Sequence, residues 1–96
     1  MRTQVPIIGA GPAGLVLGQL LANAGVASVV LENRSRAYVE ARLRAGVLEQ
    51  VTVDLLRENG VGTRLDQEGI GHDGIYLQWP GTRHHFEFPD LCGRSV

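Results

Sequence analysis

Apolar and polar positions along the chain change rhythm several times, and each change marks an element. Residues 4–8, QVPII, form a short apolar run that stops at a glycine cluster, which predicts a buried strand. From Pro12 the apolar positions recur at helical spacing, with Leu17, Leu20, Leu21 and Ala24 on one side. Proline suits a first helical turn and Gly25 is a natural stop, so PAGLVLGQLLANAG is predicted to be a helix. Gly14 and Gly18, four residues apart, share the helix face expected to lie close against a sheet. Residues 28–32, SVVLE, are rich in β-branched side chains and close on a charge, the pattern of a second strand. The order is strand, turn, helix, strand, which calls for a parallel pair and a right-handed crossover.

The rhythm then turns polar. NRSRAYVEARLR carries arginines at 34, 36, 42 and 44 and is expected to form a short helix and a loop. Residues 47–59, VLEQVTVDLLREN, return to helical spacing, with Val47, Val51 and Leu55 on one stripe beside Leu48 and Leu56, and Gly60 as the stop. Residues 61–73 give only weak signals, a turn of helix and a loop. GIYLQW at 74–79 and RHHFEF at 83–88 alternate as strands do, with Pro80-Gly81 as the hairpin turn between them. Pro6 is an uncomfortable feature, since a proline inside a central strand deletes a ladder hydrogen bond.

Composition narrows the picture without naming a function. The chain has 96 residues, 44% apolar and 20% charged, with a net charge of −1 and a pI near 6.3. That is room for one small domain that buries only about 60–65% of its unfolded surface. The charge balance argues against a nucleic-acid or polybasic membrane partner. The N-terminal apolar run is broken by Gly9, Gly11, Pro12, Gly14 and Gly18, unlike a signal peptide or a membrane span. A cytoplasmic protein is therefore expected. The lone Cys92 rules out an internal disulfide, and His84-His85, adjacent on a strand, face opposite ways and cannot share a metal ion.

The chemistry concentrates in Gly9-Ala10-Gly11-Pro12-Ala13-Gly14. Gly9 allows a tight turn out of the strand, Gly11 lets phosphate oxygens approach the backbone, and Gly14 lets helix and strand pack closely. The helix start presents unpaired N–H groups and a positive dipole end to an anion. Glu32, eighteen residues past Gly14 at the end of the second strand, suits the hydroxyls of an adenosine ribose. A bare glycine triplet is a weak signal. Here strand, helix and acid agree with it, and the implied ligand is the adenosine diphosphate half of a dinucleotide. The carboxylate repels a 2′-phosphate, so FAD and NAD both qualify at this site and NADP is disfavoured.

Across TQVPIIGAGPAGL, VVLEN, RLRAGVLEQ and VDLLRENGV the chain closely resembles the flavin-dependent 4-hydroxybenzoate 3-monooxygenases. The RxRAGVLEQ stretch is far more specific than the glycine turn. The resemblance implies an α/β fold in which a Rossmann-like, FAD-binding βαβ unit is followed by a helix and a β-hairpin. It implies that residues 1–96 are the N-terminal part of an FAD-binding domain, incomplete without the rest of the chain and lacking the substrate domain. The implied reaction adds a hydroxyl ortho to the phenol of 4-hydroxybenzoate with FAD, NADPH or NADH, and dioxygen. A related hydroxylase of another phenol, or a catalytically inactive dinucleotide-binding fragment, is the alternative, and a homodimer stays open.

The resemblance also assigns roles. The Gly9–Gly14 turn carries the FAD pyrophosphate and Glu32 its ribose. Ala13 stands where the family often has serine, so only its backbone N–H remains for phosphate. Arg42, Leu43, Arg44, Ala45, Gly46 and Val47 form a loop along the pyrophosphate, ribitol and flavin ring; on spacing alone the two arginines read as solvated surface charges. Arg34, Arg36 and Tyr38 lie where the family tells nicotinamide cofactors apart, with Asn33 and Arg34 departing from its pattern, which leaves NADPH against NADH open. His72, in GIGHDG, matches the outer end of a proton relay that deprotonates the phenol, a task suited to an unperturbed pKa near 6.5. Without the resemblance it is a loop histidine.

Overall fold

The computed structural model describes residues 2–96, which fall into two compact parts, one up to Ala45 and one from Gly46. The first part is a β-α-β unit. Strand β1 (Val5–Ile8) and strand β2 (Ser28–Leu31) pair in parallel, in register from Val5 opposite Ser28 to Ile8 opposite Leu31. Helix α1 (Pro12–Asn23) connects them and packs on both, and a short helix α2 (Arg36–Ala41) follows β2. Pro12 takes the first turn of α1 as its lack of an N–H allows, and Gly25 follows the helix end. Ser35 caps α2, its hydroxyl accepting from the Tyr38 N–H at 3.2 Å. Ile7, 6% exposed, is the buried hydrophobic residue of this part among the described residues.

Pro6 costs the β1–β2 pair nothing. The N–H groups of Val5 and Gly9 donate to Ala27 and Leu31 at 3.2 and 2.7 Å, so the odd-numbered residues of β1 face β2. In a parallel ladder the even positions then face the other edge, and that is where the missing donor of Pro6 falls.

The two glycines on the sheet face of α1 are not equivalent. A Cβ on Gly14 would sit 2.0 Å from the Gly9 carbonyl oxygen and 3.3 Å from Cγ2 of Ile7. On Gly18 it would meet Val30 and Ile7 at 3.6 and 3.7 Å, ordinary contact distances. Close packing thus requires glycine only at position 14.

The second part combines helices α3 (Gln50–Glu58) and α4 (Thr63–Glu68), an antiparallel hairpin of β3 (Gly74–Trp79) and β4 (Thr82–Glu87), and a short helix α5 (Phe88–Cys92). Pro80-Gly81 forms the two-residue turn, with Gly81 at φ +80°, a conformation that side chains other than glycine rarely adopt. On the hairpin His84 packs edge-on against Phe86 and His85 stacks on Tyr76, so the two histidines do face opposite ways. No helix among the described residues is long and apolar enough to cross a membrane.

Three expectations need correction. Helix α3 starts at Gln50 rather than Val47, because Glu49 is extended and serves as its N-cap. Its buried residue is Val53, 7% exposed, whereas Val47 and Val51 on the expected stripe are 61% and 79% exposed. Arg57 draws α4 to the Val53 side of α3 by donating Nε and Nη2 to one oxygen of Asp66 at 2.9 and 2.7 Å, and one helix's periodicity cannot report its neighbour. Last, the strand expected to run to Phe88 ends at Glu87. Phe88 opens α5, with Pro89 in its first turn and Gly93 left-handed at its end, two stop-and-start signals that alternation had outweighed.

The glycine asymmetry gives a direct test. Gly18→Ala should be neutral or stabilising by up to about 1 kcal/mol through helix propensity. Gly14→Ala should cost about 1–3 kcal/mol or more, the usual toll of forcing an atom into packed structure. Urea unfolding of both variants beside the unsubstituted protein measures the difference.

Candidate cofactor site

The site grows out of the turn between β1 and α1. Gly9 leaves the strand at φ +105°, a value that suits glycine and strains other residues, and its N–H stays hooked to the Leu31 carbonyl at 2.7 Å. Gly11 is the N-cap of α1 and supplies no side chain to cap it. Pro12 has no N–H, so the amides of Ala13 and Gly14 are left without an intrahelical acceptor. Apart from its chain neighbours, no atom lies within 4 Å of where a Gly11 Cβ would be, so the space beside Gly11 is open. Unpaired donors, a positive dipole end and room for oxygens together make an anion site.

Glu32 is the first residue after β2, and its carboxylate reaches back across the turn. Oε2 accepts from the Ala10 N–H at 2.9 Å and Oε1 from the Arg34 N–H at 2.9 Å. The Ala10 amide, then the Arg34 amide, stabilise the charged form and hold the carboxyl below its ordinary pKa. Each carboxylate oxygen accepts more than one hydrogen bond, so the two backbone donors leave capacity for a ligand.

Glu32 borders two clefts. One, of about 340 Å³, is lined by Ile8, Gly9, Leu31, Glu32 and Asn33. The other, of about 220 Å³, is lined by Gly11, Glu32, Arg34, Tyr38, Val39, Arg42 and Arg44. In the second cleft Tyr38 organises the cations. Its ring lies 5.1 Å from the Arg34 guanidinium carbon and 5.9 Å from that of Arg42, and its hydroxyl accepts from Arg42 Nη1 at 2.7 Å. Three guanidiniums and a carboxylate beside Gly11 suit a phosphate joined to a sugar: anion on one side, hydroxyls on the other. The volume fits that group rather than a whole dinucleotide.

With this geometry in hand, sequence comparison gives a direct result. The family described as "FAD binding domain" matches residues 2–94. The chain belongs to the FAD-binding domain family. It is also 50% identical, over its whole length, to the p-hydroxybenzoate hydroxylase of Acinetobacter baylyi, of which it spans 24%. The choice that the motif left between FAD and NAD therefore falls to FAD, and the Rossmann-like start expected from the sequence is the one observed.

In this FAD-binding domain, Gly9, Gly11, Ala13 and Gly14 fall at one helix end, and Gly11, Glu32, Arg34, Tyr38, Arg42 and Arg44 meet in one cleft. Every residue from Arg42 to Val47 is exposed, Leu43 at 94%, and beyond the Arg42 N–H, bonded to Val39, the segment has no regular structure. Gly46 and Val47 open the second part, where Val47 borders an apolar groove with Val51, Phe88 and Cys92. His72, also in the second part, is exposed on the loop before β3. Sequence reading missed the Ala10 and Arg34 amides as partners of Glu32. No side-chain pattern signals them, because backbone donors are present at every non-proline residue.

Acid should loosen this site in a defined sense. The folded-state pKa of Glu32 lies below the unfolded one, so its stabilising contribution is complete above the ordinary carboxylate pKa and is lost as pH falls through the depressed value. The stability advantage of the unsubstituted protein over Glu32→Gln should therefore be present at pH 7 and shrink in acid, as read by unfolding across that range.

Proposed function

We propose that this chain is the N-terminal FAD-binding part of a flavoprotein monooxygenase that hydroxylates 4-hydroxybenzoate to 3,4-dihydroxybenzoate with NADPH or NADH and dioxygen. The observation that carries the reading is Glu32, held by two backbone amides beside an uncapped, glycine-fronted helix end. The identity to p-hydroxybenzoate hydroxylase over the whole chain supports the choice of substrate. FAD, when bound, accepts hydride from the reduced nicotinamide and activates dioxygen.

The residues then divide the work. The amides of Ala13 and Gly14 hold the pyrophosphate, with Gly9 and Gly11 keeping the approach clear. Glu32 accepts from the ribose hydroxyls. Arg42 and Arg44 neutralise phosphate charge, and the Leu43–Val47 backbone follows the cofactor toward its flavin. Arg34 and Tyr38 take the 2′-phosphate of NADPH, with NADH as the alternative nicotinamide. His72, exposed to water, passes the phenolic proton to solvent.

The deciding assay is 4-hydroxybenzoate-dependent oxidation of NADPH and NADH by the intact flavoprotein, with 3,4-dihydroxybenzoate identified as product; oxidation triggered only by another phenol moves the assignment to a related hydroxylase. Glu32→Ala should raise the Kd for FAD, since the ribose loses its acceptor, and an unchanged Kd removes Glu32 from the site. His72→Asn should slow hydroxylation by roughly 10²-fold, the scale of a lost proton-transfer group, while FAD stays bound. A normal pH–rate profile in that variant excludes His72 from the relay.

A further inference from the structure

We infer that Arg94 and Ser95 are positioning residues for His72: residues 94–96 form a strap that holds the histidine's loop in place. The inference rests on the proton-relay reading of His72 given above. The histidine follows Gly69-Ile70-Gly71, a stretch with glycines on both sides of an 86% exposed isoleucine and no structure of its own to fix it. What fixes His72 comes from far along the chain. The His72 N–H donates to the Val96 carbonyl, and the Val96 N–H donates back to the His72 carbonyl at 2.9 Å.

Each residue of the strap has an anchor. The Arg94 guanidinium grips both oxygens of Asp54 on α3, at 3.0 and 3.1 Å. Gln50, at the start of α3, donates Nε2 to the Ser95 carbonyl at 2.6 Å. The Ser95 hydroxyl donates to Asp73, the residue next to His72, whose own carbonyl accepts from the Phe88 N–H at 2.7 Å. The bidentate pair is the directional element, because a planar fork fixes both distance and angle. The result is a fixed backbone carrying an exposed imidazole, the arrangement a proton carrier between protein and water requires. Two reciprocal backbone hydrogen bonds alone do not hold a glycine-flanked loop against its entropy, so the anchors on α3 decide its order.

The test uses the intact flavoprotein in two measurements. In Arg94→Gln and Ser95→Ala, hydrogen exchange at the His72 and Val96 amides should accelerate at least roughly tenfold, and kcat for hydroxylation should fall roughly tenfold at unchanged FAD Kd and substrate KM, within the up to 10²-fold that misplacement costs. Ser95→Thr, which keeps the hydroxyl, should restore both. In a His72→Asn background the strap variants should cause no further loss of kcat, since a positioning group has nothing left to position. Unchanged exchange overturns the strap, and an equal kcat loss with and without His72 shows a merely structural role. If His72→Asn by itself leaves kcat intact, the relay reading fails first and takes the positioning role with it, a result distinct from the other two.

Discussion

The hydrogen bond from the Ala10 amide to Glu32 is the constraint on which the first part of this protein depends. It joins the end of β2 to the turn that follows β1, two points the chain separates by a full helix. Parallel strands have no short connection, so beyond their own ladder their ends are aligned by what lies between or across them. Here α1 lies between, closed onto the Gly9 carbonyl through Gly14, and Glu32 lies across. The same carboxylate that orders the turn also borders both clefts. Its backbone donors favour its charged form.

The arginine cluster shows how tertiary context changes the meaning of a charge. Arg34, Arg42 and Arg44 look like solvent decoration along a polar segment. The short helix α2, started by the Ser35 cap, curls that segment so that Tyr38 comes between Arg34 and Arg42. Like charges collected in one cleft repel one another, a cost that an anion there relieves. The second part works by a different economy. Val53 is its buried hydrophobic residue among those described, and directional polar contacts supply the order: Arg57 with Asp66, Arg94 with Asp54, and the reciprocal pairing of His72 with Val96.

Much of this was written in the linear sequence. Strand, glycine turn, helix and carboxylate follow from short-range rules: apolar period, the steric freedom of glycine, the missing N–H of Pro12, and the repulsion between Glu32 and a 2′-phosphate. Each acts within a few residues, so the sequence alone determined the β-α-β start and the class of ligand it takes. Only the tertiary structure decided which face of α3 is buried, that Phe88 begins a helix, that Pro6 points its missing donor away from β2, and that residues 94–96 hold His72. Those outcomes turn on partners tens of residues distant or on backbone amides common to nearly every position, and neither leaves a periodic trace in the sequence for a local rule to detect.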